Sequence, residues 1–396
     1  MLFPSVQYLW IPLIIPILWL VRYYQRGYFF ERTTLDMPIG LLGFIVLMNI
    51  VLKPHLERGL GKVMGILLGL FFFYAAGNIL RTAKWIKSGA MVFLSGGFML
   101  AFVGLFNLQW SNKLIFNVLQ IDISHLIPHL NLSLPGADKG INPNPLSGTL
   151  ILVLPLLLSF LMNIKEGVLP GEREQKKAII PKFFVLLIMF LSMLLVIILC
   201  QSVNSWIGLL MSILILIRSS GKRIFYIVVL IGIFLGSILL LSEKTPALKE
   251  QLDREARLKI EGRVHLWQSG IKAIEQNPFI GIGINELRFS PDVTEKETHA
   301  HNHFIHTAAE LGLPALIIYI SILLSSAWMC LTVMRNASLS WMRIMARGLL
   351  AGQFAYFVFG IFDSIPLGAK PGIVFWASLA LISALYNFQW AGKVEG

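Results

Sequence analysis

His299, His301, His303 and His306, four of the eight histidines in a chain of 396 residues, fall within one short stretch that runs on to Glu310, Leu311 and Gly312. Three kinds of behaviour suit that spacing. Neutral imidazoles bind zinc, and a helical face shared by His299, His303 and His306 would offer a ligand set that Glu310 completes. A single imidazole can instead act as a general base, because its unperturbed pKa of about 6.5 suits proton removal at ambient pH. The third possibility is a set of interfacial residues without chemistry. No His-Glu-x-x-His pattern or thiolate ligand chooses among them. Cys200 and Cys330 both lie in apolar runs, where a thiol behaves as a small hydrophobe, so no disulfide framework can be argued. Upstream, Arg263 offers a planar fork of donors matched to phosphate oxygens. A salt bridge to Glu261 or Glu255, or a lipid headgroup contact, would occupy it equally well.

The elements that must hold these residues are membrane spans. Hydrophobic residues make up 56% of the chain and charged residues 14%, with a mean hydropathy of +0.73. Such a composition excludes an ordinary soluble domain and implies an all-α, polytopic helical membrane protein. About eleven or twelve runs approach the length a bilayer requires. They lie near 6–21, 35–52, 62–80, 90–108, 146–163, 183–201, 203–217, 224–241, 313–333, 345–365 and 371–388. The run from Val6 to Val21 reads as a retained first span and not a removed signal. A missed or re-entrant segment within 109–135 would add the twelfth and change the side of the N-terminus.

Basic residues collect in alternate short loops, around Arg22 to Arg32, Arg81 to Lys87, Lys165 to Lys182, Arg218 to Arg223 and Arg335 to Arg347. Short Lys- and Arg-rich loops resist translocation, so that side is predicted to be cytoplasmic and the connections at 109–145 and 242–312 to face outward. The net charge of +12 is largely this bias and gives no reason to invoke nucleic acid. Three regions follow: a transmembrane bundle at 1–241, an outer catalytic loop at 242–312, and C-terminal helices with a short tail at 313–396. Within the loop, apolar positions from Leu252 through Trp267 to Ile274 recur every three or four residues and predict an amphipathic helix. Pro278 and Gly281-Ile282-Gly283 should end it in a turn, because that glycine pair lacks a third glycine and a βαβ setting for dinucleotide binding. Residues 303–312 should be helical again and run into the next span.

The stretch from Gly262-Arg263 through Trp267 to Pro278-Phe279-Ile280-Gly281-Ile282-Gly283-Ile284-Asn285, followed by His301-Asn302 and Glu310-Leu311-Gly312, resembles the bacterial O-antigen ligase and polymerase superfamily. Asn142-Pro143-Asn144 before an apolar run, and Asp363 in Gly360-Ile361-Phe362-Asp363, are similar to two further family positions. The resemblance covers roughly residues 140 to 388. It implies inverting, metal-independent and cofactor-free glycosyl transfer at the periplasmic face of the inner membrane. A glycan would pass from undecaprenyl diphosphate to a sugar hydroxyl on either the lipid A core, as in a ligase, or a second lipid-linked glycan, as in a polymerase; the ligase is preferred. On that reading His301 is the base and Arg263 holds the departing diphosphate. His299, Asn302, Glu310 and Asp363 support or bind substrate. The chain departs from the family at Val203 and Asn204, where a Ser/Thr-Arg pair is usual. Either another cation, such as Arg254, Arg257 or Arg288, supplies that second positive charge, or the donor is held differently.

Two rival classes remain. A transporter or flippase would suit the many spans, but no inverted repeat is visible and the span midplanes hold almost no ionisable residue. A zinc-dependent membrane hydrolase would use the histidines directly and be sensitive to chelators.

Overall fold

A computed structural model describes residues 14–53, 56–107, 141–164, 179–217, 246–290, 299–369 and 371–394. Among these, twelve α-helices and one short 3-10 turn occur, with no strand: α1 Ile14–Arg26, α2 Asp36–Leu52, α3 Leu56–Ile79, α4 Ala83–Asn107, α5 Pro143–Met162, α6 Ile179–Leu199, α7 Val203–Ile217, α8 Pro246–Gln276, α9 His303–Leu311, α10 Leu313–Asn336, α11 Ser340–Phe362 and α12 Gly372–Val394. Seven of them, α3 to α6 and α10 to α12, are long and apolar enough to cross a membrane. The helices α2 and α7 are apolar but shorter. The protein is a polytopic all-α membrane protein, as composition implied. The span expected at 224–241 and almost all of the outer loop at 109–145 lie outside the described residues.

The helices begin where local chemistry permits. Asn142 is the N-cap of α5, accepting the Asn144 backbone N–H at 3.0 Å, and Pro143 takes the first helical position, where its missing N–H costs nothing. The Asn-Pro-Asn entry is therefore a helix start built for a span. One boundary moves: the third span begins near Leu56 and not at 62, which puts Lys62 inside α3 and not in a loop. A cation there must find a partner.

The bundle is organised around α5 and α11, the two most enclosed spans. With lipid on the far side of each outer helix, apolar burial alone cannot drive helices together, so close approach and interhelical hydrogen bonds do more of the work. Gly348 and Gly352 on α11 sit directly against the α5 backbone at Leu156 and Leu152. Gly208 on α7 similarly meets the Ala355 carbonyl. Buried hydroxyls add bonds between helices: Ser147 to Ser205 at 2.7 Å, Ser159 to the Ile344 carbonyl at 2.8 Å and Ser326 to Gln353 at 2.5 Å. This fixes the end of α11, where Asp363 follows.

A Cβ at 352 would strike the Leu152 carbonyl, whereas one at Gly96 meets open space. Gly352→Leu should therefore cost more than the roughly 1–3 kcal/mol typical of overpacking. Melting of the detergent-solubilised protein, followed by size-exclusion chromatography, should show a large fall in folded protein for Gly352→Leu and almost none for Gly96→Leu.

Candidate active site

Asp363 is the residue immediately after α11, its carboxylate 1% exposed. One oxygen, Oδ1, gathers three nitrogens: Nδ1 of His301 at 3.0 Å, Nε2 of His299 at 3.3 Å and the Ser364 backbone N–H at 2.8 Å. Burial alone would raise the Asp363 carboxyl, but the bonds to His299 and His301 outweigh it and hold its pKa well below the usual carboxylate range. An ionised carboxylate only accepts hydrogen bonds, so both imidazoles donate to it. For neutral His301 that places the proton on Nδ1 and leaves Nε2 with a lone pair. His301 also has φ of 48°, a left-handed conformation that a side chain with a Cβ adopts at a cost.

The next residue explains why the backbone turns there. Asn302 caps α9: its Oδ1 accepts the N–H groups of Phe304 and Ile305, both at 3.0 Å, while its Nδ2 donates to the Ile361 carbonyl at the end of α11, also at 3.0 Å. The His-Asn pair is thus a histidine held on Asp363 followed by the cap that orients it. At its other end α9 presents carbonyls without helical partners. The Pro278-to-Asn285 turn supplies them, since Ile282 N–H donates to the Ala309 carbonyl at 2.8 Å and Gly283 N–H to the Glu310 carbonyl at 3.1 Å. Gly281 has φ of 70° and lies against the Glu310 backbone, a place with neither the conformation nor the room for a side chain. The glycine pair is therefore a helix cap, in accord with the turn expected there. Asn49 of α2, buried, ties the turn to the bundle by donating to the Ile280 carbonyl at 3.0 Å and accepting from Ile284 N–H at 3.1 Å.

The other histidines separate. His303 faces the core, with its ring 4.8 Å from that of Tyr319 and its Nδ1 3.3 Å from the Ser364 hydroxyl. Burial lowers its pKa to about 3, so it is neutral. His306 Nε2 lies 3.4 Å from Glu310, and its pKa is lowered by burial. The carboxyl of Glu310 would be raised by burial, but His306 and the Lys62 ammonium, 3.6 Å away, bring it down to about 2. The zinc set of His299, His303, His306 and Glu310 is not assembled. A different trio could hold a metal ion: His299, His301 and Asp363 offer ligand atoms within 4.8 Å of one another. A cation there would need lone pairs at the two imidazole nitrogens that face Asp363, whereas a hydrogen-bonded cluster carries protons on them.

The cations are more dispersed. The helix expected over 252–274 is α8, unbroken from Pro246 to Gln276. Its Gly270 packs against Ile305 of α9, and Arg263 lies seven residues earlier on the same face, about 10 Å along the axis. Arg263 is half-buried and, among the described residues, makes no ion pair with Glu261. Arg257 also lies in α8, with its side chain outside the described part. Arg288 sits over the Phe289 ring at 5.2 Å, and Arg58 lies 4.6 Å from the same ring while pairing with Glu286 at 3.2 Å. Sequence reasoning missed Asn49, Lys62 and Ser364. Asn49 carried a signal, a lone amide inside an apolar run; Lys62 was obscured by the misplaced start of α3, and Ser364 had none.

A neutral buried His303 has a sign that can be tested. Its folded pKa is below the unfolded value, so the unfolded chain binds the extra proton as pH falls through about 6.5, and folded stability is lost below that point. By pH 5 the cost should be about 2 kcal/mol. The fall in melting temperature between pH 7 and pH 5 should be distinctly smaller in His303→Phe than in wild type; equal falls would show that His303 is not buried neutral.

Compared with protein-family models, residues 188–320 match the one described as O-antigen ligase. The match runs from within α6 to the early part of α10 and holds Arg263, His299, His301, Asn302 and Glu310, while Asp363 lies beyond it. No curated protein matches the chain. Residues 188–320 are thus similar to the O-antigen ligase family, and the capped His-Asn helix and its glycine turn both lie within the matched region.

Proposed function

We propose that the protein is a glycosyltransferase that moves a glycan from undecaprenyl diphosphate to a sugar hydroxyl at the periplasmic face of the inner membrane, with His301 as general base. The observation that carries this is the Asp363 carboxylate accepting from His301 Nδ1. A neutral imidazole held in that tautomer presents a basic Nε2, and the carboxylate stabilises the imidazolium that forms. In the step, the acceptor hydroxyl attacks the anomeric carbon and its proton passes to His301 Nε2. The bond from that carbon to the diphosphate oxygen breaks, and undecaprenyl diphosphate leaves with the electron pair. Attack from the face opposite the leaving group inverts the anomeric centre.

Negative charge grows on the departing diphosphate, so a cation near it acts most strongly in the transition state. Arg263, on the face of α8 that meets α9 and free of a carboxylate among the described residues, suits that role. The second cation, which the family usually places near Val203, would come from Arg288 or Arg257. His299 shares the Asp363 oxygen and orients it, Asn302 aims the base, and Glu310 fixes the far end of α9. The ligase reading, with the lipid A core as acceptor, is preferred; a polymerase would use the same residues with a second lipid-linked glycan.

Transfer by the purified protein, from undecaprenyl-diphosphate-linked O-polysaccharide to rough lipopolysaccharide, is the direct test. His301→Ala should lower kcat by about 10²- to 10⁴-fold with the donor still bound. Unchanged transfer would sink the assignment. A chelator should leave the wild-type rate unchanged, whereas loss of activity restored by zinc would favour the metal-binding trio. In a deletion strain, rough lipopolysaccharide with accumulated lipid-linked polymer would indicate a ligase, and a single capped repeat a polymerase.

A further inference from the structure

Lys62 stands inside a membrane-spanning helix, where a cation is costly unless it is paired. Its partner is Glu310, 3.6 Å away, on the separate helix that carries the histidines. Glu310 is 4% exposed and its second oxygen lies 3.4 Å from His306 Nε2. The His306 ring stands edge-on to that of His299 at 6.5 Å, and His299 bonds to the same Asp363 oxygen as His301. A cavity of about 20 Å³ beside Lys62, His306 and Glu310, lined also by Pro366 and Gly368, has room for one water. Gly368 meets the Lys62 backbone directly, so α3, α9 and the loop after Asp363 converge at this point.

We infer that Lys62 is a positioning residue for transfer, acting through Glu310 and His306 to hold the His299–Asp363–His301 cluster in register. The inference rests on His301 being the base. The ammonium compensates the buried Glu310 carboxylate, whose second oxygen lies 3.4 Å from His306 Nε2 on the buried face of α9. Removing Lys62 alone strands a buried carboxylate, which is costly, whereas removing both charges does not. The pair also joins α3, remote in sequence, to the helix that starts two residues after His301. A shift of about 1 Å at His301 is enough to cost roughly 100-fold in rate.

The test uses the full chain in lipid nanodiscs, with undecaprenyl-diphosphate-linked O-polysaccharide as donor and rough lipopolysaccharide as acceptor. Lys62→Met, Glu310→Gln and the double variant are compared with wild type and with His301→Ala. Lys62→Met should lower kcat by roughly 10- to 100-fold while KM for the donor stays within about twofold. The double variant should be no slower than the slower single variant, because both changes break one coupled unit. If Lys62→Met does not fold, the neutral double variant decides: a reduced kcat with unchanged KM supports the inference. Wild-type kcat in a folded Lys62→Met or in the double variant would overturn it, as would losses that multiply. Wild-type rates in His301→Ala would instead overturn the reading of the base, so the two failures are distinct.

Discussion

A single carboxylate oxygen, Oδ1 of Asp363, holds the site together. It accepts from two imidazoles and a backbone amide, and it does so while almost wholly removed from water. A charge so buried is tolerable only with such donors around it. Once they are present, each is fixed in return. The cluster can exist only if the end of α11 is immobile, and the tight glycine contacts of α11 with α5 supply that constraint deep in the bundle. Membrane packing and the geometry of the histidine cluster are thus linked through one helix terminus.

The second constraint is the short helix α9. Nine residues cannot sustain a helix in water by propensity. Caps from two separate segments replace that missing stability: Asn302 at the start, and the Pro278-to-Asn285 turn with its left-handed Gly281, Gly283 and Asn285 at the end. Both caps belong to the stretches that carry the family resemblance. Those motifs therefore encode the mounting of the histidine segment as much as its chemistry.

Much of the fold was legible in the sequence. Apolar runs located the described spans, amphipathic spacing located α8, and Pro278 with the glycine pair located the turn. The start of α3 was misjudged because Glu57, Arg58 and Lys62 resemble a loop until their partners are known. For the site, His299, His301, Asn302, Glu310 and Asp363 were all identifiable as candidates, yet their grouping was not. Helical periodicity pairs His299 with His303 and His306. His299 and His301 in fact precede the helix, and only the tertiary path brings Asp363 to them. Lys62 and Asn49 escaped notice because their roles depend on contacts across 200 or more residues of chain.

The proposed proton transfer turns on which nitrogen of His301 carries the proton. Nitrogen-15 NMR of histidine-labelled protein in nanodiscs, with the His301 signals identified by their loss in His301→Gln, reads this directly. At mildly alkaline pH the prediction is a protonated Nδ1, with the shift of a nitrogen bonded to a carboxylate, and an unprotonated Nε2. A protonated Nε2 with a bare Nδ1 would contradict it, because that tautomer neither donates to Asp363 nor leaves Nε2 free to accept the acceptor's proton.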